Sequence, residues 1–231
     1  MRALLLVTLS LLAAGCGAEG FVDARRDMVE VLRDYGITDE RVLEAMEEVP
    51  RHLFIPQRYR ALTDPYGDHA CPIGYGQTIS QPYIVAYMTQ YIDPKAGEKV
   101  LEVGTGSGYQ AAVLAHLGAE VYTIEIVPEL AEHAGSVLEE RGYEGVHVRA
   151  GDGYLGWPEA APFDAIVVTC APDEVPEALV EQLAEGGRMI LPLGDVDGLQ
   201  RLVTLRRTES GLDIREDIGV RFVPMVHGEQ R

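Results

Sequence analysis

Residues 99–108 read Lys99-Val100-Leu101-Glu102-Val103-Gly104-Thr105-Gly106-Ser107-Gly108, an apolar run fit for a buried parallel strand, then glycines at alternate positions. A helix-forming stretch follows without a gap, Tyr109-Gln110-Ala111-Ala112-Val113-Leu114-Ala115-His116-Leu117. Strand, tight glycine turn and helix N-terminus in that order predict a ligand crevice beyond the strand's carboxyl end, as in open α/β sheets. Glycine takes positive φ without a Cβ penalty and lets the backbone approach a ligand. A dinucleotide fingerprint spaces its glycines G-x-G-x-x-G and lays a pyrophosphate on the helix N-terminus. Here the third glycine comes one residue early, and Glu102 stands where its carboxylate would repel a phosphate. That carboxylate suits a ligand bearing an ammonium or a sulfonium. A second acid, Glu125, ends the next strand-like run, Glu120–Glu125, where a carboxylate can accept both hydroxyls of a ribose.

From Lys99 onward the pattern alternates strand and helix, which predicts a doubly wound, mainly parallel α/β sheet. Pro128 opens a helix that runs to Arg141, and strands at Val146–Arg149 and Asp164–Thr169 lead to Gly151-Asp152-Gly153 and Cys170-Ala171-Pro172. A helix over Pro176–Leu183 is expected to stop at Gly186-Gly187, before a strand at Arg188–Leu191. The stretches Leu199–Arg207 and Leu212–Val226 alternate like antiparallel strands. Upstream, residues 21–36 and the stretch from Thr38 or Asp39 to Val49 read as amphipathic helices, stopped by Gly36 and Pro50. The block Pro72-Ile73-Gly74-Tyr75-Gly76-Gln77-Thr78-Ile79-Ser80-Gln81-Pro82-Tyr83 precedes a helix reaching about Ile92. Ser80 reads as its N-cap, with Pro82 in the first turn. Capping does not account for the glycine-rich approach, which brings backbone close to something.

The 231 residues, 47% hydrophobic, suffice for one large α/β domain with a full core. A net charge of −18 argues against nucleic acid as a partner, since phosphate binding needs a basic surface. The histidines and cysteines show no C-x-x-C or H-E-x-x-H spacing, so no metal site is expected. Residues 1–15 form a separate leader: Met1-Arg2, then an apolar run to Ala14 that is too short to span a bilayer as a helix. Its end, Leu12-Ala13-Ala14-Gly15-Cys16, resembles a bacterial lipoprotein signal, in which the Cys becomes the lipid-bearing first residue; Ala13 stands where Leu is more usual. An ordinary cleaved signal is the alternative. The expected organisation is a signal over 1–15 with lipidation at Cys16, a short tether over 16–20, and one domain over 21–231.

The acid before G-x-G-x-G and the acid ending the next strand resemble the class I S-adenosylmethionine-dependent methyltransferases. The resemblance narrows at Pro72–Pro82, Leu101–Gln110, Gly151-Asp152-Gly153, Pro162–Ile166 and Arg221-Phe222-Val223-Pro224. Together these resemble the protein-L-isoaspartate O-methyltransferase family, in family order from about Arg25 to Gly228. The resemblance implies methyl transfer from S-adenosyl-L-methionine to the free carboxylate of L-isoaspartyl residues, which starts their repair through a succinimide. It implies an N-terminal helical cap over the donor pocket and Ser80 as the active-site residue. Glu102, Gly104, Thr105, Gly106, Ser107 and Gly108 would line the donor's amino-acid end, Glu125 its ribose, and Asp152 with Gly153 its adenine. Thr78, Ile79, Arg221, Val223 and Pro224 would hold the acceptor, an isoaspartyl-containing protein or peptide. The chain is expected to act as a monomer; members are usually cytosolic, whereas the leader points to an exported, membrane-anchored lipoprotein. The alternatives are a methyltransferase of another substrate class and a non-catalytic lipoprotein that kept the fold. Thr169-Cys170-Ala171-Pro172 lacks the Asn/Asp-Pro-Pro-aromatic pattern of base amino-group methylation. The sequence sets no distance between Cys71 and Cys170, so their pairing stays open.

Overall fold

Along the strand Lys99–Val103, alternate side chains enter different cores: Val100 joins one hydrophobic cluster, Leu101 and Val103 the other. That period of two, with both faces apolar, is what a central parallel strand requires. The computed structural model describes residues 15–194 and 198–228, with 15–20 defined by their backbone alone. Before the main sheet come helices α1 (Gly15–Asp34) and α2 (Glu40–Glu48), a 3-10 turn (Arg51–Phe54) and a short helix α3 (Gln57–Arg60). A small hairpin of β1 (Cys71–Gly74) and β2 (Gln77–Ile79) then leads into α4 (Pro82–Ile92). The alternating part follows as β3 (Lys99–Val103), α5 (Tyr109–His116), β4 (Glu120–Glu125), α6 (Pro128–Glu140) and β5 (Val146–Ala150). After a 3-10 turn (Gly153–Leu155) come β6 (Phe163–Val168), α7 (Glu177–Gln182), β7 (Leu183–Leu193), β8 (Gln200–Thr208) and β9 (Gly211–Val220).

The main sheet has the order β5-β4-β3-β6-β7-β8-β9. Pairings from β5 to β7 are parallel, and β8 runs antiparallel to both neighbours. The chain lays β4 and β5 on one side of β3 and β6 on the other. The carboxyl ends of β3 and β6 are therefore a topological switch point, where such sheets bind ligands. Helices α4, α5 and α6 bury their apolar stripes on the face that carries Val100, Val121, Val167 and Ile190, and α1 and α2 pack onto α4 and α5 in the same cluster. The opposite face, with Leu101, Ile166, Met189 and Leu205, is covered by α7 and the irregular segment around Trp157 and Ala160. This is the doubly wound, mainly parallel sheet expected.

Several boundaries differ from the sequence expectation. Helix α1 begins at Gly15, so the stretch 16–20 is helical where a tether was expected. Residues 1–14 of the leader, and the Cys16 side chain, lie outside the described residues. Ser80 does not cap α4: the N-cap position is Gln81, whose side chain makes no capping bond. Asp68 does the work from the preceding loop, accepting from Tyr83 N–H at 2.9 Å and from Gln81 Nε2 at 2.7 Å. Strand β7 starts at Leu183, directly after α7, and takes Gly186-Gly187 into a bulge between its pairings with Phe163 and Ala165. Strand β9 ends at Val220, and the following tail makes a single parallel bridge, Pro224 to Ala171.

Candidate active site

A cavity of about 300 Å³ opens at the carboxyl ends of β3 and β4. Its floor is the glycine turn. Gly104 has φ +100°, and a Cβ there would lie 2.5 Å from Thr169 Oγ1, so only glycine fits. Thr169 Oγ1 donates to Gly104 O at 2.6 Å, and Gly104 N–H donates to Ile124 O at 2.8 Å. The turn is thus stitched to both strands that flank β3. Gly108, with φ +85°, is the N-cap of α5 and packs against Leu138 rather than lining the cavity. Thr105, Gly106 and Ser107 do line it.

Two carboxylates share this cavity. Glu102 is fully buried; its Oε2 accepts from Thr123 Oγ1 at 2.5 Å, and Thr123 Oγ1 lies 2.6 Å from Thr105 Oγ1. Glu102 Oε1 is buried with no hydrogen-bond partner. Burial pushes its carboxyl up to about 8, with the nearby Glu125 charge adding to the rise. An unpaired buried acid costs several kcal/mol of desolvation, on the order expected for a group awaiting a cationic partner. Glu125 is 5% exposed; its Oε2 accepts from Gly106 N–H at 2.8 Å and its Oε1 from Val127 N–H at 2.9 Å. It therefore fastens the glycine turn while facing the cavity. Burial also raises the Cys170 thiol, helped by Glu125 and Glu102. The cavity is negative, and it favours a cation.

The wall opposite the turn is the end of β2: Thr78, Ile79 and Ser80 all face in. The N-terminal helices α1 and α2, expected as a cap, pack on α4 and α5, and none of their described residues lines the cavity. A buried arginine holds the intervening loop. Arg51 Nε donates to Pro65 O at 2.9 Å, its Nη2 to His69 O at 3.3 Å, and its guanidinium lies 5.2 Å from the centre of the Tyr109 ring. That loop carries Asp68, which in turn grips Gln81 and Tyr83 and so holds the segment directly after Ser80. Val223, Pro224, Met225 and Gly153 complete the cavity. A Cβ on Gly153 would come within 2.4 Å of Val103 Cγ1, which explains the glycine.

A second cavity, of about 430 Å³, adjoins the first. Thr78, Ser80, Thr169 and Val223 line both. Arg221 faces only the second. Asp152 lines neither cavity: its Oδ1 accepts from Tyr154 N–H at 2.9 Å and its Oδ2 from Gly228 N–H at 3.0 Å. It caps the 3-10 turn and ties down the tail, where adenine contact was expected. Sequence reading missed Thr169 and Cys170, although they follow β6 at the switch point, which is a usable signal. It also missed Met225 and Val226, because the alternating pattern suggested that the last strand continued through them. Cys71 and Cys170 are free thiols.

The family model described as protein-L-isoaspartate(D-aspartate) O-methyltransferase matches residues 23–230. The chain belongs to that family. A protein-L-isoaspartate O-methyltransferase of Gloeobacter violaceus is 56% identical over 196 residues, covering 85% of this chain and 95% of the relative. Protein-L-isoaspartate O-methyltransferase 2 of Anaeromyxobacter sp. is 50% identical, with 98% of each chain covered. Among solved structures, a protein-L-isoaspartate O-methyltransferase superposes with a TM-score of 0.80 at 32% identity, covering 88% of this chain and 66% of that one. A Plasmodium falciparum beta-aspartate methyltransferase in complex with S-adenosyl-L-homocysteine gives 0.77 at 27% identity, covering 87% and 98%.

Proposed function

We propose that this family member transfers a methyl group from S-adenosyl-L-methionine to the free carboxylate of L-isoaspartyl residues in damaged proteins. The observation that carries the reading is the junction of two cavities at Ser80, the first doubly acidic and the second reached by Arg221. The acidic cavity fits the donor: Glu102 Oε1 is an orphaned acceptor for a cationic group, and the glycine turn keeps clear the space a Cβ would fill. Glu102 and the turn hold the donor's amino-acid end, Glu125 its ribose, and Gly153 the base. When bound, the donor supplies a methyl already activated on a sulfonium.

The protein has correspondingly little chemistry to perform. An isoaspartyl carboxylate is ionised at neutral pH, so no general base is required. Rate enhancement comes from holding the carboxylate in line with the methyl and from excluding water. Ser80 donates a hydrogen bond to the carboxylate at the junction, while Thr78, Ile79, Val223, Pro224 and Arg221 hold the flanking chain. The methyl ester then closes to a succinimide, whose hydrolysis returns part of the damage to normal aspartate. A labelled methyl transferred to aged protein should be released by mild base as an ester; base-stable label would mean transfer to nitrogen and another substrate class.

The leader carries a second part of the proposal: lipidation at Cys16 anchors the mature enzyme to a membrane of the bacterial envelope. Its support is the leader's own grammar, Leu12-Ala13-Ala14-Gly15-Cys16 after an apolar run. Long-lived envelope proteins accumulate isoaspartate, which gives export a use. The donor is a charged nucleoside that does not cross a bilayer unaided, so this placement requires its delivery. Fractionation of cells carrying wild type and Cys16→Ser decides: membrane-bound wild type and released variant are expected. Wild type in the cytosol with residues 1–15 attached restores the family's usual home.

A further inference from the structure

Strand β9 leaves the β8 ladder at Val220, whose register partner is Gln200. Two residues on, the chain is still held as though the ladder continued. Phe222 N–H donates to Gln200 Oε1 at 2.6 Å, and Gln200 Nε2 donates to Phe222 O at 3.2 Å. A side-chain amide offers both an acceptor and donors, so it can imitate the next backbone pair of an antiparallel ladder. Gln200 is 1% exposed, which shields both bonds from water.

Phe222 sits between Arg221 and Val223, and both of those face the second cavity; Gln200 lines neither cavity. The next part of the tail is pinned separately. Ala171 N–H donates to Val223 O at 2.8 Å, and Met225 N–H donates to Ala171 O at 2.7 Å. Met225 faces only the acidic cavity. Two of the tail's fastenings bear on the cavity walls. Ala171 sets the part nearer the donor, and Gln200 sets the part around Arg221.

We infer that Gln200 is a positioning residue for the acceptor: by fixing Phe222 it shapes the Arg221–Val223 wall against which the isoaspartyl chain lies, without setting donor affinity. The inference rests on the methyltransferase reading above. Gln200→Ala removes both bonds to Phe222. Gln200→Glu is the sharper probe. An ionised carboxylate still accepts from Phe222 N–H but repels Phe222 O. A protonated carboxyl restores the donor and copies the amide. Burial favours the protonated form, so its defect should be relieved by acid.

The test measures KM for an isoaspartyl peptide and Kd for S-adenosylhomocysteine, for wild type and both variants, from pH 6 to pH 8.5. Gln200→Ala is expected to raise the acceptor KM at least tenfold at every pH, with donor Kd within twofold of wild type at the same pH. Gln200→Glu should match that defect at pH 8.5 and recover at least threefold, relative to wild type, by pH 6. Unchanged acceptor KM in both variants overturns the inference, as does a Gln200→Glu to wild-type ratio that does not move with pH. Loss of donor binding in Gln200→Glu at every pH also overturns it, because Gln200 would then support the whole fold. Wild type without activity on the peptide would instead refute the methyltransferase reading, so the two failures are distinct.

Discussion

The proposed donor site predicts that binding moves a proton at Glu102. Its carboxyl is fully buried and pushed up to about 8, faced by Glu125 and Thr123 from β4, Thr105 from the turn, and the raised Cys170 thiol beyond β6. With its pKa raised above 7, the carboxyl holds that proton in most molecules at pH 7. A cationic donor prefers the ionised form, so binding should release close to one proton at pH 7. The ionised fraction rises with pH up to about 8, which predicts that affinity rises about tenfold or more between pH 6 and pH 8. Calorimetry at pH 7 in buffers of different ionisation enthalpy counts the protons, and Kd across pH 6–8 gives the slope. Glu102→Gln should flatten the slope, leaving only what the ligand's own amine contributes. The empty protein carries the same signature in its stability. The native state keeps a proton that the unfolded chain loses near the ordinary Glu range. The associated stability is therefore complete below about pH 4 and falls by about 1.4 kcal/mol per unit until about pH 8. A wild-type Kd that does not change from pH 6 to pH 8, or a Glu102→Gln slope equal to wild type, would refute this reasoning.

Three further outcomes follow from the same geometry. Glu125→Ala should weaken donor binding more than tenfold, because each charge-assisted hydrogen bond is worth about 1.5–3 kcal/mol and the Gly106 anchor goes with it; calorimetry showing unchanged affinity would remove Glu125 from the site. Ser80→Ala should cut turnover by far more than it lowers the melting temperature, since Ser80 is not the cap of α4; Ser80→Thr should retain part of the rate, and a fully active Ala variant would end the catalytic role of Ser80. Asp68→Ala should cost about 1–2 kcal/mol of stability in denaturant titration, as loss of a helix cap does, and should lower kcat by freeing Ser80; an unchanged midpoint would show that the cap is dispensable.

What could be read from the chain was local. Strand β4 occupies Glu120–Glu125 and β3 begins at Lys99 as expected, because the apolar alternation, the glycine turn and the helix after it lie within one short window. Glu102 and Glu125 were legible for the same reason: each ends or precedes a recognisable turn. The misses come from partners distant in the chain. Ser80 looked like a cap because the true one, Asp68, belongs to a loop held by the buried Arg51. Gly186-Gly187 looked like a stop, but pairing with β6 absorbs it as a bulge. The last strand seemed to run to Val226, but it ends where the Gln200 side chain and Ala171 take over the tail. The partners of Asp152, assigned to adenine, were likewise hidden: its carboxylate accepts from Tyr154 N–H and from the far Gly228 N–H.

The proposed reaction is delivery of a methyl group to an isoaspartyl carboxylate at the Ser80 junction. It is tested most directly with two synthetic peptides identical but for one linkage, L-isoaspartyl in one and normal L-aspartyl in the other. With labelled S-adenosyl-L-methionine and the purified protein, the isoaspartyl peptide should take up label as a base-labile ester while its twin stays at background. Equal labelling of the two, or none of either under conditions where the donor binds, would contradict the account.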